Sequence, residues 1–268
     1  MTPNAERVTF TKKKKTVACP VPLAPLADTH AHLLSFWGKE VPETLVRAKA
    51  AGVDLLVTMF DPIADKRSVA DYSDWLVREI LPMQDIPQIK YLAGVHPYGA
   101  PDYTDDVHAQ VVAALDDPLC AGIGEIGLDY HMDYDDDIAP APHNVQIDCM
   151  TRQLELAVRR NVPVELHLRH EDSDGERTSH VDAYNVLREV GVCPRLVVCC
   201  TVLARTAPRW SALWSWAAIS PMVVRPPLSA TTMCARHLRQ PHSIEFCSRR
   251  IARIWLQSPS AVLNASPQ

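Results

Sequence analysis

Between residues 25 and 191, short apolar runs alternate five times with amphipathic helical segments, and that alternation admits few folds. Runs such as "VDLLVTMF" (53–60) and "IKYLAGVHP" (89–97) are nearly continuous in apolar residues, as expected of strands covered on both faces. Between them lie "VPETLVRAKAAG", "KRSVADYSDWLVREIL", "DDVHAQVVAALDD", "HNVQIDCMTRQLELAVRRN" and "SHVDAYNVLREVG". These read as helices, with Gly52, Asn161 and Gly191 at three of their ends. Five βα units with short connections imply a parallel sheet. At 268 residues and 47% hydrophobic content, the α/β solution is one TIM-type (β/α)8 barrel. Strands 1–5 are recognisable and the barrel is expected to be incomplete, because the pattern stops at Gly191.

The stop coincides with a break in composition. All nine glycines, every lysine and 31 of the 32 acidic residues lie in residues 1–191. Residues 192–268 carry nine arginines against one acid, Glu245, with four of the six tryptophans and five of the eight cysteines. Removing glycine from 77 residues leaves turns and helix ends without the residue best suited to positive φ. The chain therefore divides into an N-terminal extension (1–22), a βα-barrel portion (23–191) and an atypical tail (192–268). The extension has a run of lysines with no apolar stretch behind it, so it reads as solvated rather than as a secretory signal. No stretch approaches a membrane span, and the cysteines show no metal-site or disulfide spacing. A reduced, cytoplasmic chain with no membrane association and no protein partner is the expectation.

The polar residues then fall into place. Asp28, His30, His32, His96, Glu125, Asp129, His167 and Arg169 each sit at or just past the C-terminal end of an expected strand. In a (β/α)8 barrel those ends share the face that carries chemistry. An H-x-H at a strand end aims both rings to one side while Ala31 points away. Histidine in "VPVELHL" and glutamate in "GIGEIG" are costly to bury without partners. Together these groups suit Zn²⁺ or Mn²⁺. His108, His131, His143, His170 and His180 read as surface or loop residues.

In order and spacing, "DTHAHL", "GVHP", "GEIGLDY" and "Q…RQLELAVRRNVPVELHLR" resemble the TatD family of metal-dependent deoxyribonucleases, within the amidohydrolase-like barrel superfamily. The resemblance covers residues 25–191. It implies a site with two divalent ions (Zn, Mn or Mg), His30 and His32 as ligands of the first. Glu125 would be the bridging and catalytic carboxylate, His167 a ligand of the second ion, and His96 and Arg169 contacts to the scissile phosphate. The implied reaction is phosphodiester hydrolysis, with DNA, at single-stranded ends, as substrate. Two alternatives stand beside it: an inactive, truncated fragment with residual metal binding, and an amidohydrolase-type enzyme cleaving a C–N or lactone bond.

Past Gly191 the chain departs from that family. A His-Cys-Phe strand end and a later Glu-Thr-Asp motif, which would complete the two ion sites, are both missing. Where the first belongs stands "LVVCCTVLA", and Cys200–Leu203 can be encoded so that another frame reads His-Cys-Phe. In that frame, Trp216–Ala217 and Met222–Val223 necessarily yield glycine codons. The tail is thus expected to be the product of a frame shift between about Gly191 and Cys199. The coding DNA tests this: stops in the alternative frame, or no His-Cys-Phe there, rule it out.

Overall fold

The computed structural model describes residues 9–12, 15–19, 21–35, 41–134, 137–192, 198–200 and 220–221. Strands β1 (Thr9–Lys12) and β2 (Lys15–Ala18) pair antiparallel as a separate hairpin. The main sheet has seven parallel strands, neighbours in chain order: β3 (Leu26–Ala31), β4 (Val53–Phe60), β5 (Gln88–Ala93), β6 (Cys120–Asp129), β7 (Val164–Arg169), β8 (Val198–Cys200) and β9 (Ser220–Pro221). Helices α1 (Val41–Ala50), α2 (Val69–Trp75), α3 (Asp105–Ala114), α4 (His143–Arg160) and α5 (Thr178–Glu189) alternate with the strands up to β7. A doubly wound sheet reverses its strand order part-way; this one never does, and so winds one way like a barrel wall. Among the described residues no strand closes onto the free edge of β3, so the wall is an open arc.

Local chemistry sets the helix ends. Ser68 Oγ accepts the Asp71 N–H at 3.1 Å to start α2, and Thr104 Oγ1 accepts the Val107 N–H at 3.3 Å to start α3. Asp105 and Asp106 follow in the first turn of α3, where negative charge suits the helix dipole. Asn161 ends α4 in the left-handed conformation, φ 51°, as its position after "AVRRN" suggested. The helix expected over 66–81 runs as α2 and then a π turn, Leu76–Ile80.

Strand β4 shows why the apolar runs are continuous. Leu56 and Phe60 pack outward with Leu45, Tyr72 and Leu76 of the helical layer, while Leu55, Val57 and Met59 pack with Leu92 and Ala121 on the opposite face. Under α4 and α5, a larger cluster joins Met150, Leu154, Ala157, Val186, Ile123 and Leu166. No helix among the described residues is long and apolar enough to cross a membrane. Of the tail, β8 extends the sheet by pairing with β7 from Val164–Val198 to Leu166–Cys200, and β9 pairs with β8. The frame-shift expectation otherwise lies outside the described residues.

Leu154 is fully buried in the α4 layer. Leu154→Ala is expected to destabilise the fold by about 2–5 kcal/mol, read as a lowered denaturant midpoint. Truncating the half-exposed Val46 on α1 is expected to shift the midpoint by under ~0.5 kcal/mol.

Candidate metal centre

The site is built where glycine lets strands β6 and β7 come together. A Cβ on Gly122 would stand 2.4 Å from the Pro163 carbonyl oxygen, and one on Gly127, at φ +146°, only 2.0 Å from that of His167. Pairing of the two strands slips by one residue between Ile123 and Ile126. Such a bulge re-aims side chains, and Glu125 lies within it. On β7 the two-residue period places Glu165, His167 and Arg169 on one face. On β3 the same period aligns Asp28 with His30, whose backbone N–H donates to Asp28 Oδ1 at 3.1 Å.

Two buried glutamines seven residues apart on α4 fix the neighbouring strand ends. Gln153 accepts the Val95 N–H through Oε1 at 2.8 Å and donates from Nε2 to the Val95 carbonyl at 3.2 Å. Gln146 treats Asp129 alike: Oε1 accepts its N–H and Nε2 donates to its carbonyl, both at 2.8 Å. Each amide therefore clamps both backbone groups of a residue in the site or next to it. Asp61, at the end of β4, adds a third hold by accepting the His96 N–H at 2.9 Å.

Three donor atoms converge from β3 and β6. His30 Nε2 and His32 Nε2 are 3.1 Å apart, and Glu125 Oε2 lies 3.6 Å from the first and 3.7 Å from the second. A triangle with those edges has a circumradius of about 2.0 Å, the length of a bond from Zn²⁺ to nitrogen or a carboxylate oxygen. The donor set thus fits a divalent ion. The other Glu125 oxygen, Oε1, accepts from His167 Nδ1 at 2.9 Å, and His167 Nε2 donates to Asp129 Oδ2 at 2.8 Å. A second set of donors, from His96, Asp129 and His167, lies within 4.8 Å of one another. The His96 and His167 rings are in edge contact, centroids 4.4 Å apart.

These contacts also prove the curvature. In a flat sheet β3 and β7, four strands apart, would be about 19 Å from each other. Yet His30 Nδ1 on β3 is hydrogen-bonded to Glu165 Oε1 on β7. The arc brings its first and fifth strands face to face.

Comparison with known proteins places the architecture and the motifs together. The sequence model of the family described as TatD related DNase matches residues 27–241. This chain belongs to that family. Among relatives of the TatD-related chain, an uncharacterized metal-dependent hydrolase of Bacillus subtilis, YabD, is 29% identical over 168 residues, 62% of this chain and 56% of that protein. A 3'-5' ssDNA/RNA exonuclease TatD of Cronobacter turicensis is 29% identical over 127 residues, 47% of this chain and 42% of that protein. The match thus spans less than two thirds of either relative's length. In fold, a TatD-like protein from Archaeoglobus fulgidus superposes with a TM-score of 0.56 at 18% identity, covering 87% of this chain and all of that one.

Every residue singled out in sequence lies in or beside this centre. His30, His32, Glu125 and His167 meet directly, and His96 joins His167 and Asp129. Arg169 stands at the rim, a third exposed, its guanidinium 3.8 Å from Asp133. The reading of His131 and His180 as surface residues is corrected, since both are buried. His131 packs against Glu171, and His180 lies in edge contact with His170 and within hydrogen-bonding distance of Ser179 Oγ. Glu165, Gln146, Gln153 and Asp61 were missed. Glu165 gave a usable signal, because a glutamate in "VPVELHL" breaks an apolar run just as Glu125 does.

The electrostatics follow from burial and partners. Burial alone would drive the His167 ring towards neutrality, but hydrogen bonds to Asp129 and Glu125 and their charges overcome it and raise its pKa to about 9. Burial likewise opposes ionisation of Glu125 and Asp129, and His167 more than offsets it, holding both below the usual carboxylate range. His96 has no such anion bonded to its ring; burial and the His167 charge push it down to about 4. A histidine raised on folding stabilises fully below its unfolded value and loses that contribution as pH rises through the folded one. Metal-free protein is therefore expected to lose about 3 kcal/mol of stability between pH ~6.5 and ~9, followed by urea denaturation in chelator. Glu125→Gln is expected to flatten that alkaline limb.

Proposed function

We propose that this chain is a metal-dependent nuclease that hydrolyses phosphodiester bonds at single-stranded nucleic-acid ends. The observation that carries the reading is the two-way orientation of Glu125: Oε2 faces His30 and His32, and Oε1 is bonded to His167. A bridging carboxylate is what a dinuclear centre needs. His30, His32 and Glu125 would hold one divalent ion (Zn, Mn or Mg). Glu125 and His167, with Asp129 and His96 in reach, would hold a second. Ions held there would lower the pKa of a bound water and offset charge growing on the phosphate.

The chain's own groups supply the rest. Glu125 fixes the separation of the two donor sets and is the catalytic carboxylate. Arg169, at the open rim, would face a phosphate oxygen, and His96, held neutral, would sit beside it as a donor or a ligand. Binding through phosphate and sugar needs no base-specific reader, which accords with a relative named for both single-stranded DNA and RNA. The same reading assigns the chemistry to residues 23–191, with 1–22 an extension and 192–268 a segment of different composition. A reducing, cytoplasmic setting accords with the free thiols of Cys19, Cys120 and Cys149.

Incubating the purified chain with end-labelled single-stranded DNA or RNA and Mn²⁺ or Mg²⁺ tests the proposal. Expected is stepwise shortening that chelator abolishes, and a loss of at least ~10²-fold in His30→Ala and Glu125→Gln. Folded protein that takes up metal without turnover would instead identify an inactive fragment. Cleavage of amides or lactones but not of nucleic acid would identify an amidohydrolase.

A further inference from the structure

We propose that Glu165 is a positioning residue that sets the tautomer of His30 and so makes Nε2 its metal-facing atom. The proposal rests on the metal-centre reading above and concerns a residue outside either donor set. Glu165 lies mid-strand on β7, two residues before His167 and 1% exposed. Gly124 of β6 is packed against it, for a Cβ there would stand 2.9 Å from Glu165 Cβ. A position so enclosed favours an aliphatic residue, and burying a carboxylate in its place costs several kcal/mol unless something specific compensates.

What compensates it is His30. Glu165 Oε1 is hydrogen-bonded to His30 Nδ1, while Oε2 is buried and accepts no hydrogen bond among the described residues. An ionised carboxylate only accepts, so the proton of that bond sits on Nδ1. The lone pair of a neutral His30 ring is then on Nε2. That atom already points at His32 Nε2, 3.1 Å away, and at Glu125 Oε2, 3.6 Å away. The neighbouring strand thus orients the ring, fixes its proton and raises the basicity of the nitrogen left to bind a cation. Removing such a partner from a ligand histidine typically lowers metal affinity by about 10–100-fold.

The test uses the full chain with Zn²⁺ and Mn²⁺ alone as probes, comparing wild type, Glu165→Gln and Glu165→Leu. Affinity is read by competition with a chromophoric chelator. Expected is a loss of about 10–100-fold for Glu165→Leu and a smaller loss for Glu165→Gln, which keeps an acceptor oxygen and the side-chain shape. Independently, ¹⁵N shifts of the His30 ring in metal-free wild type at alkaline pH should show a neutral ring protonated on Nδ1. Protonation on Nε2, or unchanged affinity in a folded Glu165→Leu chain, overturns the proposal. If Glu165→Leu does not fold, the glutamine variant and the wild-type spectrum decide. A wild-type chain that takes up no metal yet carries the Nδ1 proton sinks the metal reading and upholds the orientation by Glu165.

Discussion

The proton on His167 stands between two buried carboxylates, and most of the centre's organisation depends on that arrangement. Both ring nitrogens donate, one to Glu125 and one to Asp129, which requires the cationic ring. Without it, two negative charges would sit side by side under strands covered on both faces, at a cost of several kcal/mol each. The cationic ring is thus a charge-matched stand-in for what the site is arranged to accept. A divalent cation between the same donors would meet the same demand, releasing the proton as it enters. The network that stabilises the metal-free fold and the one that would bind metal share their carboxylates.

Such a network needs a rigid frame, and the chain supplies it through backbone contacts more than through the site's own side chains. Gln146 and Gln153 clamp the ends of two adjacent strands from one helix, and Asp61 holds the next residue along. Glycines at 122 and 127 bring β6 within reach of β7. These four residues carry no charge, and they place charged groups to within the tolerance a coordination shell demands. Sequence, backbone path and site geometry are linked there: a side chain on Gly127 would meet His167's own carbonyl and push apart the strands that deliver Glu125 and His167.

Charge interrupting an apolar run was the signal that made the site legible in sequence. His30, His32, His167 and Glu125 could be read because burying them unpartnered is expensive, and strand periodicity told which way they face. Glu165 obeys the same rule, yet it was hidden by the histidine two residues on. The glutamines were hidden for another reason. A neutral amide on the inner face of α4 looks like ordinary helix, and its role emerges only once another strand's backbone stands opposite. His131 and His180 were misread because loops and helix starts carry no periodicity, so their burial depends on which residues fold over them. The fold itself was legible up to Gly191, where the alternation of period two and period 3.6 stops.

The order of the strands and the contact between their side chains, taken together, say more than either does alone. Sequential parallel pairing fits a gently twisted open sheet as well as a barrel wall. A hydrogen bond between the first and fifth strands of the main sheet does not, because only strong curvature spans four inter-strand spacings. That curvature gathers both donor sets from β3, β6, β7 and the loop after β5, ahead of the tail's short strands. The described arc therefore holds two three-residue donor groups without help from the missing His-Cys-Phe and Glu-Thr-Asp motifs. Those motifs would add ligands to sites whose walls already stand, so their loss bears on how tightly cations are held more than on whether the donors converge.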